Sequence, residues 1–397
     1  MSSLTDDFDA ALKPAERAMI ARARDFAATH VAPNAKEWEY GRKQPLDAIR
    51  LAAAEGLHAI ELETRFGGPQ LSFSCKMRVA EEISRHDMGF AFALINVHNS
   101  MVRFARDGDP AMVARLLPKL LTAEMIASPG LTEPRAGSDF AAIRTKARKI
   151  EGGWVLDGAK AWITNAANCG LALVYAQTDA SKGWKGIAGF MVEADRLGFH
   201  REPAFELLGG HAIGAGGFRL EGYEAPDAAM TAPPGQAFKF ALAGINGART
   251  YVAAMCCGML EESIRVATRY GGERTLFGGT VMDLQGVRWK LVDALNDLEA
   301  MRALTYRAAR IIDAGGDAQE PAAHAKKFAG DRTVPQIANC IQAMGANGLR
   351  ADYPLMRHMA CAKIACYTDG STEIQNERLG RAMVERYGKS GGATASG

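Results

Sequence analysis

The sequence predicts an α+β fold in three consecutive parts: a helical region over 1–125, an antiparallel β region over 126–230, and a second helical region over 236–388. Apolar residues recur at helical spacing in the first and last thirds, while short β-rich runs broken by Gly-Gly and Asp-Gly fill the middle. The segment "DAAMTAPPGQ" separates these textures and reads as a linker. At 397 residues the chain exceeds one ordinary hydrophobic core, so two or three packed subdomains are expected.

From Pro14, residues Met19, Ile20, Ala23, Phe26 and Ala27 mark one helix face, and Pro33 ends the run. "PLDAIRLAAAEGL" is a second helix, "KMRVAEEISRHDMGFAFALINVHNSMVRFARDG" a third and "PAMVARLLPKLLTAEM" a fourth. After Ile126, "TKARKIEGGWVLDGAKAWITNAANCGLALVYAQTD", "GIAGFMVEADRLGFHRE" and "GFRLEGYEAP" read as strands. The glycine-rich "LLGGHAIGAGG" lacks the spacings of a nucleotide loop and reads as a connection between strands. Two long helices follow, beginning at "FKFALAGINGAR" and "MDLQGVRWK", then two more, "PAAHAKKFAGDRTVPQIANCIQAMGANG" and "MRHMACAKIACYT". The small polar tail over 389–397 is expected to be disordered.

Composition narrows the class. Apolar residues are 48% and charged residues 23%, as in soluble enzymes, and the net charge of +2 argues against a nucleic-acid partner. Seven cysteines without a CxxC pair suggest reduced thiols and a cytoplasmic setting. The acidic, polar start does not resemble a signal peptide, and no apolar run reaches the roughly 20 residues a bilayer requires. His358, Cys361 and Cys366 match no usual ligand spacing, so no metal is expected, and no G-x-S-x-G elbow is present.

Three stretches carry chemistry. "LTEPRAGSD" offers backbone N–H groups, with Thr132 and Ser138 adding hydroxyls, toward an anion or heterocycle. "AWITNA" sets an aromatic and a hydroxyl at a strand edge. In "YTDGSTEIQ", Asp369 is either a turn former or a base.

In order, "LTEPRAGSD", "GAKAWITNA", "ERTLFG", "QAMGANG" and "DGSTEIQ" resemble the acyl-CoA dehydrogenase flavoprotein family over about residues 15–387. The resemblance implies a helical domain, a β domain and a C-terminal four-helix bundle, with FAD as cofactor. It places Leu131, Thr132, Gly137 and Ser138 along the flavin and pyrophosphate, Trp162 over a ring face, and Thr164 at the flavin edge. Arg274, Phe277, Gln342 and Gly345 would reach the FAD of a neighbouring subunit, implying a homotetramer, and Ser371 and Glu373 are further cofactor contacts. Ser138, Asn246, Arg249 and Gly370 would bind an acyl-CoA substrate, with Phe90 and Phe92 as candidate acyl-pocket walls. Asp369 would be the base for forming a trans-2-enoyl-CoA, with electrons passed to an electron-transferring flavoprotein.

The pattern departs from the family at several places, among them Ser371 where the family has Thr. Asp369 replaces the usual Glu, Asn246 an acid and Ala346 a glycine, while Ala248 leaves an alternative base position empty. The shorter Asp admits a second expectation, a same-fold oxidase or monooxygenase of the nitroalkane-oxidase kind. A non-catalytic, DNA-protecting relative is a third, which the near-neutral charge and the retained Asp369 disfavour.

Overall fold

A computed structural model describes residues 3–388. The tail over 389–397, expected to be disordered, lies outside them. The first part holds α1 (Leu4–Ala10), α2 (Pro14–Phe26), α3 (Ala35–Tyr40), α4 (Leu46–Ala54), α5 (Phe73–Ser84), α6 (Met88–Asp107) and α7 (Pro110–Leu121). The long third helix expected from the sequence is two, α5 and α6. Asp87 divides them: its carboxylate accepts the Phe90 N–H at 2.7 Å and so caps the start of α6. The short α1 and α3 were not expected, because 7 and 6 residues barely display a helical period.

The middle part is a sheet of β1 (Ile126–Gly130), β2 (Lys146–Ile150), β3 (Gly153–Ile163), β4 (Cys169–Gln177), β5 (Ile187–Glu193), β6 (Phe199–Arg201), β7 (Gly216–Pro226) and β8 (Met230–Ala232). Strand order is β6-β7-β3-β2-β4-β5-β8, with β1 lying against β4. Most pairings are antiparallel, as expected. The exceptions are β1 with β4, and a single parallel pair between Lys146 of β2 and Gln177 of β4. "LLGGHAIGAGG" connects β6 to β7, as its composition suggested.

The last part holds α8 (Ala237–Glu273), α9 (Gln285–Asp313), α10 (Gln319–Met344), α11 (Leu355–Ala365) and α12 (Thr372–Tyr387). One apolar core is shared by the two helical parts, and a second lies around the sheet. The helical parts join where α5 crosses α8. The Ser84 hydroxyl donates to the Met255 carbonyl at 3.0 Å, and Gly258 lets the backbones approach closely. A methyl group there would stand 2.2 Å from the Glu81 carbonyl oxygen. Beside this crossing, buried Arg78 pairs with Asp9, Glu81 and Glu82, and Arg302 of α9 pairs with Glu81 and Glu261. Buried charges persist only when compensated in this way.

Gly258→Ala is therefore expected to lower stability by about 1–3 kcal/mol, the ordinary penalty of overpacking. Denaturant unfolding should show a lower midpoint with an unchanged slope.

Candidate active site

A cavity of about 1590 Å³ opens between the sheet, α6, the first half of α8 and the break between α11 and α12. Ordinary small-molecule sites occupy roughly 300–1,000 Å³, so this one has room for a dinucleotide and part of a second ligand. Leu131, Thr132, Gly137, Ser138, Trp162 and Thr164 line its β side. Asn246, Asp369, Gly370 and Ser371 line its helical side. Residues from 131 to 371 thus converge on one space.

The loop after β1 is fixed from beneath. Glu133 is buried and accepts from Lys160 Nζ at 2.8 Å, from Thr145 Oγ1 at 2.5 Å and from the Thr145 N–H at 2.9 Å. Lys160 also donates to the Leu131 carbonyl at 3.2 Å. Removing either charge would leave the other buried and uncompensated, at about 3–5 kcal/mol. The acid inside "LTEPRAGSD" thus holds the loop while its neighbours face the cavity.

At the end of β3 the register with β7 shifts between Lys160 and Ile163. Trp162 adopts φ +59° and Asn165 φ +62°, a conformation uncommon for residues with a side chain. The outcome is an indole 62% exposed on the cavity wall, with its ring 4.8 Å from that of Phe205. A core tryptophan would be buried, so the strain presents this aromatic face to a ligand. Asn165 anchors the bend by donating to the Ala93 carbonyl of α6 at 3.1 Å.

Asp369 lies in the break between α11 and α12, at φ +54°, followed by Gly370 at φ +94°. Asp is among the side chains that best tolerate this region, so the turn-forming reading of Asp-Gly also holds. Two buried side chains clamp the main chain here. Arg249 of α8 donates through Nε to the Asp369 carbonyl at 3.2 Å and through Nη1 to Asn246 Oδ1 at 2.9 Å. Gln375 of α12 donates to the Gly370 carbonyl at 3.0 Å. The carboxylate itself is left alone: Oδ2 is buried without a hydrogen-bond partner. Burial raises the Asp369 carboxyl to about 6, against the opposing pull of Lys326 and Arg249. Lys326 of α10 is buried as well and donates to the Ala365 carbonyl.

Several residues lie elsewhere. Arg249 stands behind the cavity wall as a support, not at the surface a substrate would touch. Arg274, Gln342, Gly345 and Glu373 are exposed away from the cavity, and Phe277 is 94% exposed on the turn after α8. Of the two candidate walls, Phe92 lines the cavity. Phe90 does not: it packs against Phe26 and Trp38 in the core. Two residues along a helix turn a side chain about 200° away, so the pair cannot share a face. Ala248 lines the cavity and brings no acid to it. Sequence reasoning missed Lys326 and Gln375. Lys326 was detectable as a lysine in the buried stripe Ala322, Ala329 and Thr333.

Comparison with known proteins identifies the family. Residues 13–124, 128–223 and 235–384 match the N-terminal, middle and C-terminal domains of the acyl-CoA dehydrogenase family. The short/branched chain specific acyl-CoA dehydrogenase of Rattus norvegicus mitochondria is 31% identical over 92% of this chain and 84% of its own. The butyryl-CoA dehydrogenase structure from Megasphaera elsdenii superposes with a TM-score of 0.90 at 28% identity, covering 94% of this chain and 99% of that one. A glutaryl-CoA dehydrogenase from Mycobacterium smegmatis in complex with FADH2 gives a TM-score of 0.88 at 26% identity, covering 94% and 95%. The chain belongs to the acyl-CoA dehydrogenase family and is an FAD-dependent oxidoreductase. The cavity fits that cofactor: an exposed indole, the hydroxyls of Thr132, Ser138 and Thr164, and an unpartnered buried carboxylate face one space.

Gly370→Ala meets both a left-handed φ and a contact of 2.9 Å from its new methyl to Gln375 Nε2. It should slow flavin reduction on the order of 10²-fold through misplacement of Asp369, with the far-UV circular dichroism unchanged.

Proposed function

We propose that the chain catalyses α,β-dehydrogenation of an acyl-CoA thioester to the trans-2-enoyl-CoA, with Asp369 removing the α-proton. The observation that carries this reading is Oδ2 of Asp369, buried and unpartnered on the wall of the cavity that fits the cofactor. A carboxylate stripped of water and of hydrogen-bond donors is a stronger base than one in solution. FAD, when bound, supplies the acceptor for the hydride that leaves the β-carbon.

The remaining roles follow from this chain's own groups. The α-proton passes to a carboxyl oxygen of Asp369, and the electron pair it leaves is shared with the thioester carbonyl oxygen. Among the described residues the Asp369 N–H donates to no acceptor, so it is available to that oxygen. Leu131, Thr132, Gly137, Ser138, Trp162, Thr164 and Ser371 are proposed to hold the cofactor, with no part in this cavity for the outward-facing Glu373. Asn246, Ser138 and Gly370 are proposed to contact the thioester, with Arg249 and Gln375 fixing the loop that carries the base. Gly247 and Ala248 of α8 line the same cavity as Asp369, and their small size is proposed to leave room for a thioester beside the shorter acid.

The reading extends to assembly and electron transfer. Arg274, Phe277, Gln342 and Gly345 are proposed to complete the cofactor site of another copy in a homotetramer. Their exposure, and that of Leu349 (60%) and Tyr387 (74%), supports a surface covered by a second subunit. An electron-transferring flavoprotein is the proposed oxidant and a cytoplasmic compartment the proposed location, the latter supported by seven free, buried cysteines.

Anaerobic addition of short, branched and medium acyl-CoAs should bleach the oxidised flavin band, and a panel with no effect would refute the reading. Asp369→Asn should retain FAD and lose on the order of 10³-fold or more in reduction rate, given the 10²–10⁴ typical of acid–base groups. Asp369→Glu should keep activity with an altered chain preference. Oxygen consumption on nitroalkanes without CoA would favour the oxidase instead.

A further inference from the structure

The inner end of the same cavity is polar, which an unsubstituted acyl chain does not require. Lys76 of α5 is 5% exposed and lines the cavity beside Phe73, with Nζ 4.8 Å from that ring's centroid. Its ammonium pairs with Glu61 and donates to Asn99 Oδ1 at 3.1 Å. The Glu61 N–H donates to His98 Nε2 at 3.1 Å, which leaves the ring's other nitrogen to donate to Asn99 Oδ1, also at 3.1 Å. Two donors therefore fix the Asn99 amide with its oxygen toward Lys76 and His98. Its NH2 group faces Tyr251 and donates to that hydroxyl at 3.2 Å.

Counting donors then gives a direction. Asn99 has used one of two N–H groups, Lys76 two of three, and Tyr251 accepts from Asn99 with its own O–H still to place. Among the described residues none of these three hydrogens meets an acceptor, and all three side chains line the cavity. Formal charge cancels between Lys76 and Glu61, Arg103 and Arg106 farther along the lining share Asp107, and burial holds His98 neutral, with its pKa lowered to about 3. The cluster therefore presents donors without net positive charge.

We infer that this end of the cavity selects a short acyl group whose terminus carries a neutral oxygen acceptor, such as an amide or ketone carbonyl. An alkyl terminus would leave the buried Lys76 and Tyr251 and the half-buried Asn99 with unpaired donors, and a carboxylate would bring a second negative charge beside Glu61. The inference rests on the acyl-thioester reading of the site and specifies its substrate class.

The test uses the FAD-loaded full chain and two sets of near-isosteric CoA thioesters. One is succinamoyl, succinyl and 4-methylpentanoyl, and the other glutaramoyl, glutaryl and 5-methylhexanoyl. The amide of at least one set should exceed its alkyl and carboxylate partners by about 10-fold or more in kcat/KM, as for other sites built to hydrogen-bond their substrate. Calorimetric Kd values should follow the same order. The double variant Glu61→Gln/Lys76→Met removes both charges together and should reverse the amide-over-alkyl preference. An alkyl or carboxylate member that is best in both sets overturns the inference while leaving the dehydrogenase reading intact. Flavin that no thioester reduces overturns both.

Discussion

Arg249 spends its guanidinium on the main-chain carbonyl of Asp369 and on Asn246, not on the Asp369 carboxylate, and the chemistry of the site depends on that choice. A direct ion pair would lower the carboxyl pKa by roughly 1–3 units and weaken the base. Bonding the carbonyl holds the loop equally well and leaves the carboxylate bare. Gln375 does the same for the next carbonyl, so two buried donors hold the left-handed backbone at Asp369 and Gly370 in place. Position is supplied by the main chain and reactivity by burial.

The opposite wall follows the same logic. Lys160 and Glu133 neutralise one another beneath the loop after β1, and Asn165 ties the strained end of β3 to α6. In both places a buried polar group is fully engaged with backbone so that a nearby side chain can face the cavity. Where the cavity reaches Lys76, Asn99 and Tyr251, donor hydrogens remain unspent on its wall.

Much of this was legible in the sequence. Helical spacing and Gly-punctuated strands gave the three-part order, and three of the five ordered motifs brought nine of the named residues to one cavity, while "ERTLFG" and "QAMGANG" lie outside it. The rest was hidden for identifiable reasons. The division of α5 from α6 depends on a single capping side chain, Asp87. The resemblance implied a substrate contact for Arg249, whereas its hydrogen-bond partner is a carbonyl 120 residues away that carries no sequence signature. Phe90 and Phe92 look alike in sequence, and only the helical rotation separates core from cavity. Lys76 and Lys326 were readable in principle, because each sits in a buried stripe: Val79, Ala80 and Ile83 in one case, Ala322, Ala329 and Thr333 in the other. What the lysines face could not be read, since it lies on other elements.

The central claim is that burial, opposed by Lys326 and Arg249, sets the basicity of Asp369. The direct measurement is the rate of anaerobic flavin reduction as a function of pH, in the wild type and in Lys326→Met. Asp369 must be ionised to act, so the rate should fall as pH drops through about 6 and stay level above it. Lys326 lowers the Asp369 pKa, so its removal should move that acidic limb upward while the plateau persists. A limb near the ordinary carboxylate range, or one that Lys326→Met leaves in place, would contradict the account.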